Sequence, residues 1–306
     1  MLQPIRLAVV APASNADPEK VLRGVERLRA LGHSLKLMPH VLTQAWPYFA
    51  ATAEQRLDDL HAAFADPEID AVICIRGGYG SNYLLEGLDL DMLRRNAKPF
   101  IGYSDHTAIA TWMLDQAGVP VLHGPMVAAD FSRGDGVDLL SFAAALGGES
   151  YRLGSESGVR GLKPGTARGV LYGGCLSLLA ASLGSPFAAQ TEGKLLFLED
   201  LGEKPYQIDR MLRHLKLAGK FEGVTGIIFG EMLDCASPGA PADLTERVIL
   251  TVMEWFPGPI AYGLRSGHVS RSNVTLPFGV EAELVVNAQA AELRVEARTM
   301  IRQEEQ

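Results

Sequence analysis

The feature that most constrains this chain is residues 69–75, Ile-Asp-Ala-Val-Ile-Cys-Ile, followed at once by Arg76-Gly77-Gly78-Tyr79-Gly80. A strand with so few polar residues suits a parallel sheet covered on both faces, not a half-solvated antiparallel one. Parallel neighbours need crossovers, usually helices, and the flanking sequence offers them. Ile5–Val10 is a β-branched apolar run, and Asp17-Pro18-Glu19 reads as an N-cap, a first-turn proline and an acidic first turn. Val21, Val25, Leu28 and Leu31 then recur at helical spacing until Gly32. Leu35–Met38 is a short strand, Thr52 with Gln55 forms a capping box, and Leu57, Leu60 and Phe64 give the next helix its inner stripe. Pro99–Gly102 is a fourth strand, and Thr107–Gln116 a helix stopped by Gly118. This alternation predicts an open parallel sheet with functional loops at the carboxyl ends of its strands.

Around residues 132–168 the periodicity fades. The expected organisation is an N-terminal α/β domain over 1–150, a linker over 151–168 and a smaller β-rich domain over 169–306. In the second half, Lys194–Glu199 and Val224–Phe229 read as strands, and Tyr206–Ala218 and Leu244–Trp255 as helices. Alternation at Val280, Ala282, Leu284 and Val286, and at Ala291, Leu293 and Val295, predicts a late hairpin. Residues 169–191 carry no charge, but their best apolar part, Leu176–Leu183, is far below the roughly 20 residues a membrane span needs. A buried core helix is expected there. The run Leu7–Ala11 is likewise too short for the apolar part of a signal peptide.

Composition narrows the function. With 28 Lys plus Arg against 36 Asp plus Glu, the 306-residue chain carries a net charge of −8 and no basic run. That argues against nucleic acid and anionic membranes as partners. Its three cysteines, Cys74, Cys175 and Cys235, form no CxxC pair, so buried free thiols in a reducing compartment are expected. No metal-ligand spacing such as HExxH occurs, and no metal is expected.

Four segments could carry chemistry. In Gly102-Tyr103-Ser104-Asp105-His106 a serine stands between a strand and a helix, the setting of a nucleophile elbow, though a helix cap is the plainer alternative. The 76–80 loop could cradle phosphate, contribute to an oxyanion hole or simply turn. It lacks the P-loop ending. Glu199-Asp200 ends a strand, where a carboxylate can orient an imidazole or stay solvated. His268, between Gly267 and a polar run ending in Asn273, could exchange a proton near neutral pH. His106 and His123 are weaker candidates, while His33, His40, His61 and His214 read as surface or helix-face residues.

The order Ser104, Glu199, His268 matches one convergent hydrolase triad. Together with Tyr206-Gln207-Ile208-Asp209-Arg210, Gly226-Ile227-Ile228-Phe229-Gly230 and Asn273 to Gly279, these segments resemble the LD-carboxypeptidases, the muramoyltetrapeptide carboxypeptidase family of serine peptidases. The resemblance implies a flavodoxin- or Rossmann-like N-terminal domain and a β-rich C-terminal one, with the site in the cleft between them. It also implies Ser104 as nucleophile, His268 as base and acid, Glu199 as its orienting carboxylate, and backbone N–H groups of Gly78 and Asp105 as oxyanion hole. The implied activity is release of the terminal D-alanine from murein tetrapeptide in cell-wall recycling, by a cytoplasmic homodimer needing no cofactor. A microcin-immunity relative would instead cleave an aminoacyl-nucleotide, with Trp46, Tyr48 or Phe49 offering an aromatic surface. A non-catalytic binding protein would tolerate loss of Ser104. A free terminal carboxylate needs a cation, for which Arg76, Arg265 and Arg271 are candidates. The pattern departs at Cys175, where an Asn is expected after Gly173-Gly174.

Overall fold

The computed structural model describes residues 4–45, 47–236, 239–288 and 290–300. The first half runs β1 (Arg6–Val10), α1 (Pro18–Ala30), β2 (Ser34–Leu37), α2 (Ala53–Ala65), β3 (Ala71–Cys74), α3 (Leu90–Arg95), β4 (Phe100–Ile101), α4 (Thr107–Trp112), β5 (Val121–His123) and α5 (Leu139–Gly147). The caps read in the sequence form as bonds: Glu19 N donates to Asp17 Oδ1 at 2.9 Å, and Thr52 and Gln55 exchange two bonds of 3.2 Å. The predicted 107–116 helix forms, with α4 passing into a π turn at Met113–Ala117 before Gly118 ends it at a left-handed φ of 64°.

The second half continues with β6 (Tyr151–Leu153), β7 (Arg160–Lys163), β8 (Gly165–Cys175), α6 (Leu176–Ala181), β9 (Lys194–Glu199), α7 (Pro205–Leu217), β10 (Gly226–Gly230), α8 (Leu244–Val252), β11 (Ile260–Leu264), β12 (Leu276–Phe278), β13 (Glu281–Val286) and β14 (Ala291–Val295). β13 and β14 form the antiparallel hairpin that alternation predicted.

Two sheets result. The six-stranded one has the order β12-β5-β4-β3-β1-β2, parallel except for β12. The eight-stranded one, β6-β14-β13-β8-β9-β10-β11-β7, has a parallel centre from β8 to β11 and antiparallel flanks. Three expectations are corrected. Residues 151–168 are not a linker: they supply β6, β7 and the start of β8. β6 and β7 sit at opposite edges of their sheet, and β7 is only half-buried, so neither shows a clean apolar period. Residues 169–175 are strand rather than helix, and α6 begins only at Leu176. Finally β12, from the second half, is an edge strand of the first sheet, where Pro277 costs no ladder bond.

The parallel centre of the second sheet divides two cores. In β9, Leu195 and Phe197 join the core that wraps the first sheet, while Leu196 and Leu198 join a second core against α6, α7 and α8. Leu171 and Tyr172, and Ile228 and Ile227, divide in the same way. Period-two alternation within continuously apolar strands therefore serves both layers, and each fully buried Leu or Phe contributes roughly 1.5–3 kcal/mol. Glu199 ends β9 inside this packing.

Candidate active site

The nucleophile turn follows β4. Ser104 opens a short 3-10 turn, Ser104–His106, that leads into α4, and it holds a left-handed φ of 67°. Such a conformation is strained for a residue with a Cβ, and strain of this kind gathers at functional sites. The glycine loop lies against it: a Cβ on Gly77 would stand 2.7 Å from Ser104 Cβ, so only glycine permits the approach. Two further ties hold loop and turn together. His106 Nε2 bonds the Arg76 carbonyl at 2.8 Å, and Asp105 Oδ2 accepts from Ser81 N at 2.7 Å. Ser14 Oγ accepts from Tyr79 N at 3.1 Å on the other flank.

Glu199 is fully buried, so the solvated-acid alternative fails for it. Its Oε2 accepts from His268 Nδ1 at 2.8 Å and from His268 N at 3.0 Å. A Cβ on Gly267 would lie 2.6 Å from Glu199 Cδ, and Gly267 has φ 87°, so glycine is required for the carboxylate to sit beneath this turn. Burial alone would raise the Glu199 pKa, but the charge and hydrogen bonds of His268 outweigh it and hold it below the ordinary value. Burial likewise works to lower His268, yet Glu199's charge and bond raise it above the ordinary imidazole value. His268 remains partly open to solvent, with its side chain 17% exposed.

His123 stands behind Glu199, with Nε2 3.9 Å from Glu199 Oε1 and Nδ1 bonded to Ser266 Oγ at 2.9 Å. Burial drops its pKa to about 4, so it is neutral at physiological pH. His33, read as a surface or helix-face residue, is buried edge-on to Phe142. Asp200 is also buried, and Ser177 N donates to its Oδ2 at 2.7 Å at the start of α6. Cys175 fills its place with sulfur bonds, 3.3 Å to Ser177 Oγ and 3.5 Å to Asp200 Oδ1.

Ser104, His268, Arg76, Gly77, Gly78 and Tyr103 line one cavity of about 450 Å³. No hydrogen bond joins Ser104 Oγ to His268 among the described residues, and bonds of this kind often tighten only with substrate bound. Of the three arginines singled out in the sequence, Arg76 reaches this wall. Arg265 instead donates to the Glu156 carbonyl, and Arg271 is an exposed residue outside the lining. Lys20, Arg23 and Arg133 line the cavity too. Sequence reasoning missed them because they sit on α1 and the segment after β5, far in sequence from any motif. Trp46 lies outside the described residues. Among those residues no metal-binding cluster exists, and no helix is long and apolar enough to cross a membrane.

Sequence profiles of the LD-carboxypeptidase N-terminal and C-terminal domains match residues 7–124 and 168–284. The chain is 37% identical over 282 residues to a probable murein peptide carboxypeptidase of Bacillus subtilis (strain 168), covering 91% of this chain and 88% of that one. It is 33% identical over 304 residues to the murein tetrapeptide carboxypeptidase of Pseudomonas aeruginosa, covering 93% and 95%. The crystal structure of muramoyltetrapeptide carboxypeptidase from Oxalobacter formigenes superposes with a TM-score of 0.83 at 27% identity, covering 95% of this chain and 98% of that one. Two matched domains, in the order in which the two sheets are laid down, leave one assignment: this chain belongs to the LD-carboxypeptidase family.

Proposed function

We propose that this protein is a serine carboxypeptidase that releases the terminal D-alanine from murein tetrapeptide, cutting between the L-centre of the diamino acid and D-alanine. One observation carries the reading. A buried carboxylate holds an imidazole at 2.8 Å, and that imidazole opens into the cavity where a strained serine opens the turn after β4. Ser104 Oγ attacks the scissile carbonyl, and His268 takes its proton and returns it to the departing amine. Glu199 stabilises the imidazolium between the two transfers. The N–H groups of Gly78 and Asp105 hold the oxyanion, a role favoured by the packing of the Gly77 loop on Ser104. Water then hydrolyses the acyl-enzyme.

Arg76, with Lys20, Arg23 and Arg133, gives an acidic protein a locally cationic cavity suited to a peptide's free carboxylates. The names of the relatives support the murein substrate. A cytoplasmic homodimer completes the proposal. Three buried free cysteines favour a reducing compartment, and the family resemblance suggests the dimer. A fluorophosphonate should label wild-type protein at Ser104. Absence of labelling in folded protein would refute the nucleophile. If an aminoacyl-sulfamoyl-adenosine were cleaved in place of the tetrapeptide, the alternative substrate class would replace this one.

A further inference from the structure

Between Ser104 and the His268 turn lies a buried polar cluster that the triad does not use. We propose that Asp130 and Asn273 are positioning residues that fix the place of His268 by clamping the peptide groups of Gly267.

The bonds run in one chain. Asn273 Oδ1 accepts from Gly267 N at 3.0 Å, and Asn273 Nδ2 donates to Gly267 O at 3.1 Å. One amide thus holds both backbone polar groups of the residue before His268. Asn273 Nδ2 also donates to Asp130 Oδ1 at 3.3 Å. Asp130 is anchored in turn, since its Oδ2 accepts from Met126 N at 2.9 Å. Tyr103 O–H donates to Asp130 Oδ1 at 3.5 Å, and the Tyr103 ring meets His268 edge-on at 5.2 Å. Asn273 itself is pinned to the first half, its N donating to Gly136 O at 2.9 Å and its O accepting from Asp138 N at 3.0 Å.

An ionised carboxylate only accepts, so Asp130 reinforces the Asn273 orientation that Gly267 N and O require, with Nδ2 pointing toward it. That orientation leaves Oδ1 facing Gly267 N. With an amide in place of Asp130, its NH2 would meet either Asn273 Nδ2 or Met126 N, and in both cases two donors face each other at an anchor of the clamp. Both Asp130 and Asn273 are buried, with exposures of 1% and 0%, so water cannot relieve the mismatch. Burial pushes the Asp130 carboxyl up to about 6, so the fold keeps this acid where an apolar residue would pack more cheaply. A carboxylate retained against that cost sits where it fixes an amide, and the amide fixes the turn carrying His268.

This inference rests on His268 being the general base. The test is steady-state kinetics on murein tetrapeptide across pH, with folding followed by circular dichroism. The variants are Asp130→Asn, Asn273→Asp, the double swap, and His268→Ala as control. The titratable groups around His268 are Glu199, Asp200, Tyr103 and Asp130, with His123 behind Glu199 and with Asp17, Lys20, Arg23, Arg76 and Arg133 on the wall of the shared cavity. Each single variant should lower kcat about 10- to 100-fold, as misplacement of a catalytic group does, with KM unchanged. Each should also move the acid limb of kcat/KM, because the His268–Glu199 pairing is altered. The double swap repairs only the contact between positions 130 and 273 and sets a carboxylate oxygen against Gly267 O, so it should stay as impaired as Asn273→Asp. Folded single variants with wild-type kcat and limb, and a lowered melting temperature alone, would overturn the proposal. So would a double swap with wild-type kcat, because Gly267 O would then need no donor. If the single variants do not fold, Asn273→Ala decides, since it removes the clamp without adding a charge: a folded protein with lowered kcat and a shifted limb supports the clamp, and wild-type kcat or loss of the fold refutes it. An active His268→Ala would instead refute the base assignment, whatever the other variants do.

Discussion

Ser104 and Glu199 each do one thing that a near-isostere cannot. Ser104→Ala and Ser104→Gly should both abolish turnover, a loss of about 10⁴–10⁶. They should differ in stability, however. At φ 67° alanine keeps the left-handed strain that glycine escapes, so the glycine variant should be more stable by about 1 kcal/mol in thermal or denaturant melts. Equal stability would mean that the turn is not strained. Glu199→Gln should lower kcat about 10²–10⁴-fold. It should also shift pH dependence in a defined direction. His268 acts as a base only when neutral, and Glu199's charge raises its pKa, so the rate rises with pH through that raised value. Without the charge, burial is left to lower the pKa, and the acid limb of kcat/KM should move to lower pH. A limb that stays in place would show that Glu199 does not set the imidazole's charge. These residues were legible because their neighbours announce them: glycine before the histidine, a strand end before each polar group. Asp130 was not legible, since nothing adjacent in sequence marks an aspartate whose partners are Met126 N and a side chain 143 residues away.

Elements place these groups by where they end. β4 and β9 stop at the nucleophile turn and at Glu199, and the polar ends of apolar strands were readable in sequence. Asp200, one residue further on, serves a different element. It accepts from Ser177 N at 2.7 Å in the first turn of α6 and from Leu201 N at 2.9 Å. An asparagine has one acceptor for these two donors. Asp200→Asn should therefore cost about 0.5–2 kcal/mol in unfolding experiments, with a smaller fall in kcat than Glu199→Gln. Reversal of the two kinetic effects would exchange their roles. Burial and the Glu199 charge raise Asp200 from 3.8 to about 6. A raised acid binds more protons folded than unfolded, so its contribution to stability is full at low pH and lost as pH climbs toward 6. That component of the pH slope should vanish in the variant. Elements without an amphipathic period were the ones sequence reading missed. β6 and β7 are short edge strands, and β12 carries a proline, which suits an edge and weakens a strand signature.

The whole molecule is more interwoven than a chain of two domains joined by a linker. One core runs from Leu7 in β1 to Leu293 in β14 and takes in one face of the second sheet. β12 returns to complete the first sheet just after the His268 turn, so base and nucleophile are both anchored to that sheet. Calorimetry should accordingly show a single cooperative transition, and residues 1–150 alone should lack one. Two separated transitions would mean that the halves fold independently. The alternating elements made β1 to β4 of the first sheet readable, whereas β5, only three residues long, and β12, contributed from the second half, left no local trace. The central claim is that this scaffold cuts an L–D bond at a free carboxy terminus through Ser104. The most direct measurement is mass spectrometry of L-Ala-γ-D-Glu-meso-diaminopimelate-D-Ala, its C-terminal amide and its L-Ala epimer after incubation with wild type and Ser104→Ala. The account predicts loss of D-alanine from the first peptide by wild type alone, a large fall in rate for the amide and no release from the epimer. Equal cleavage of all three, or undiminished release by Ser104→Ala, would contradict it.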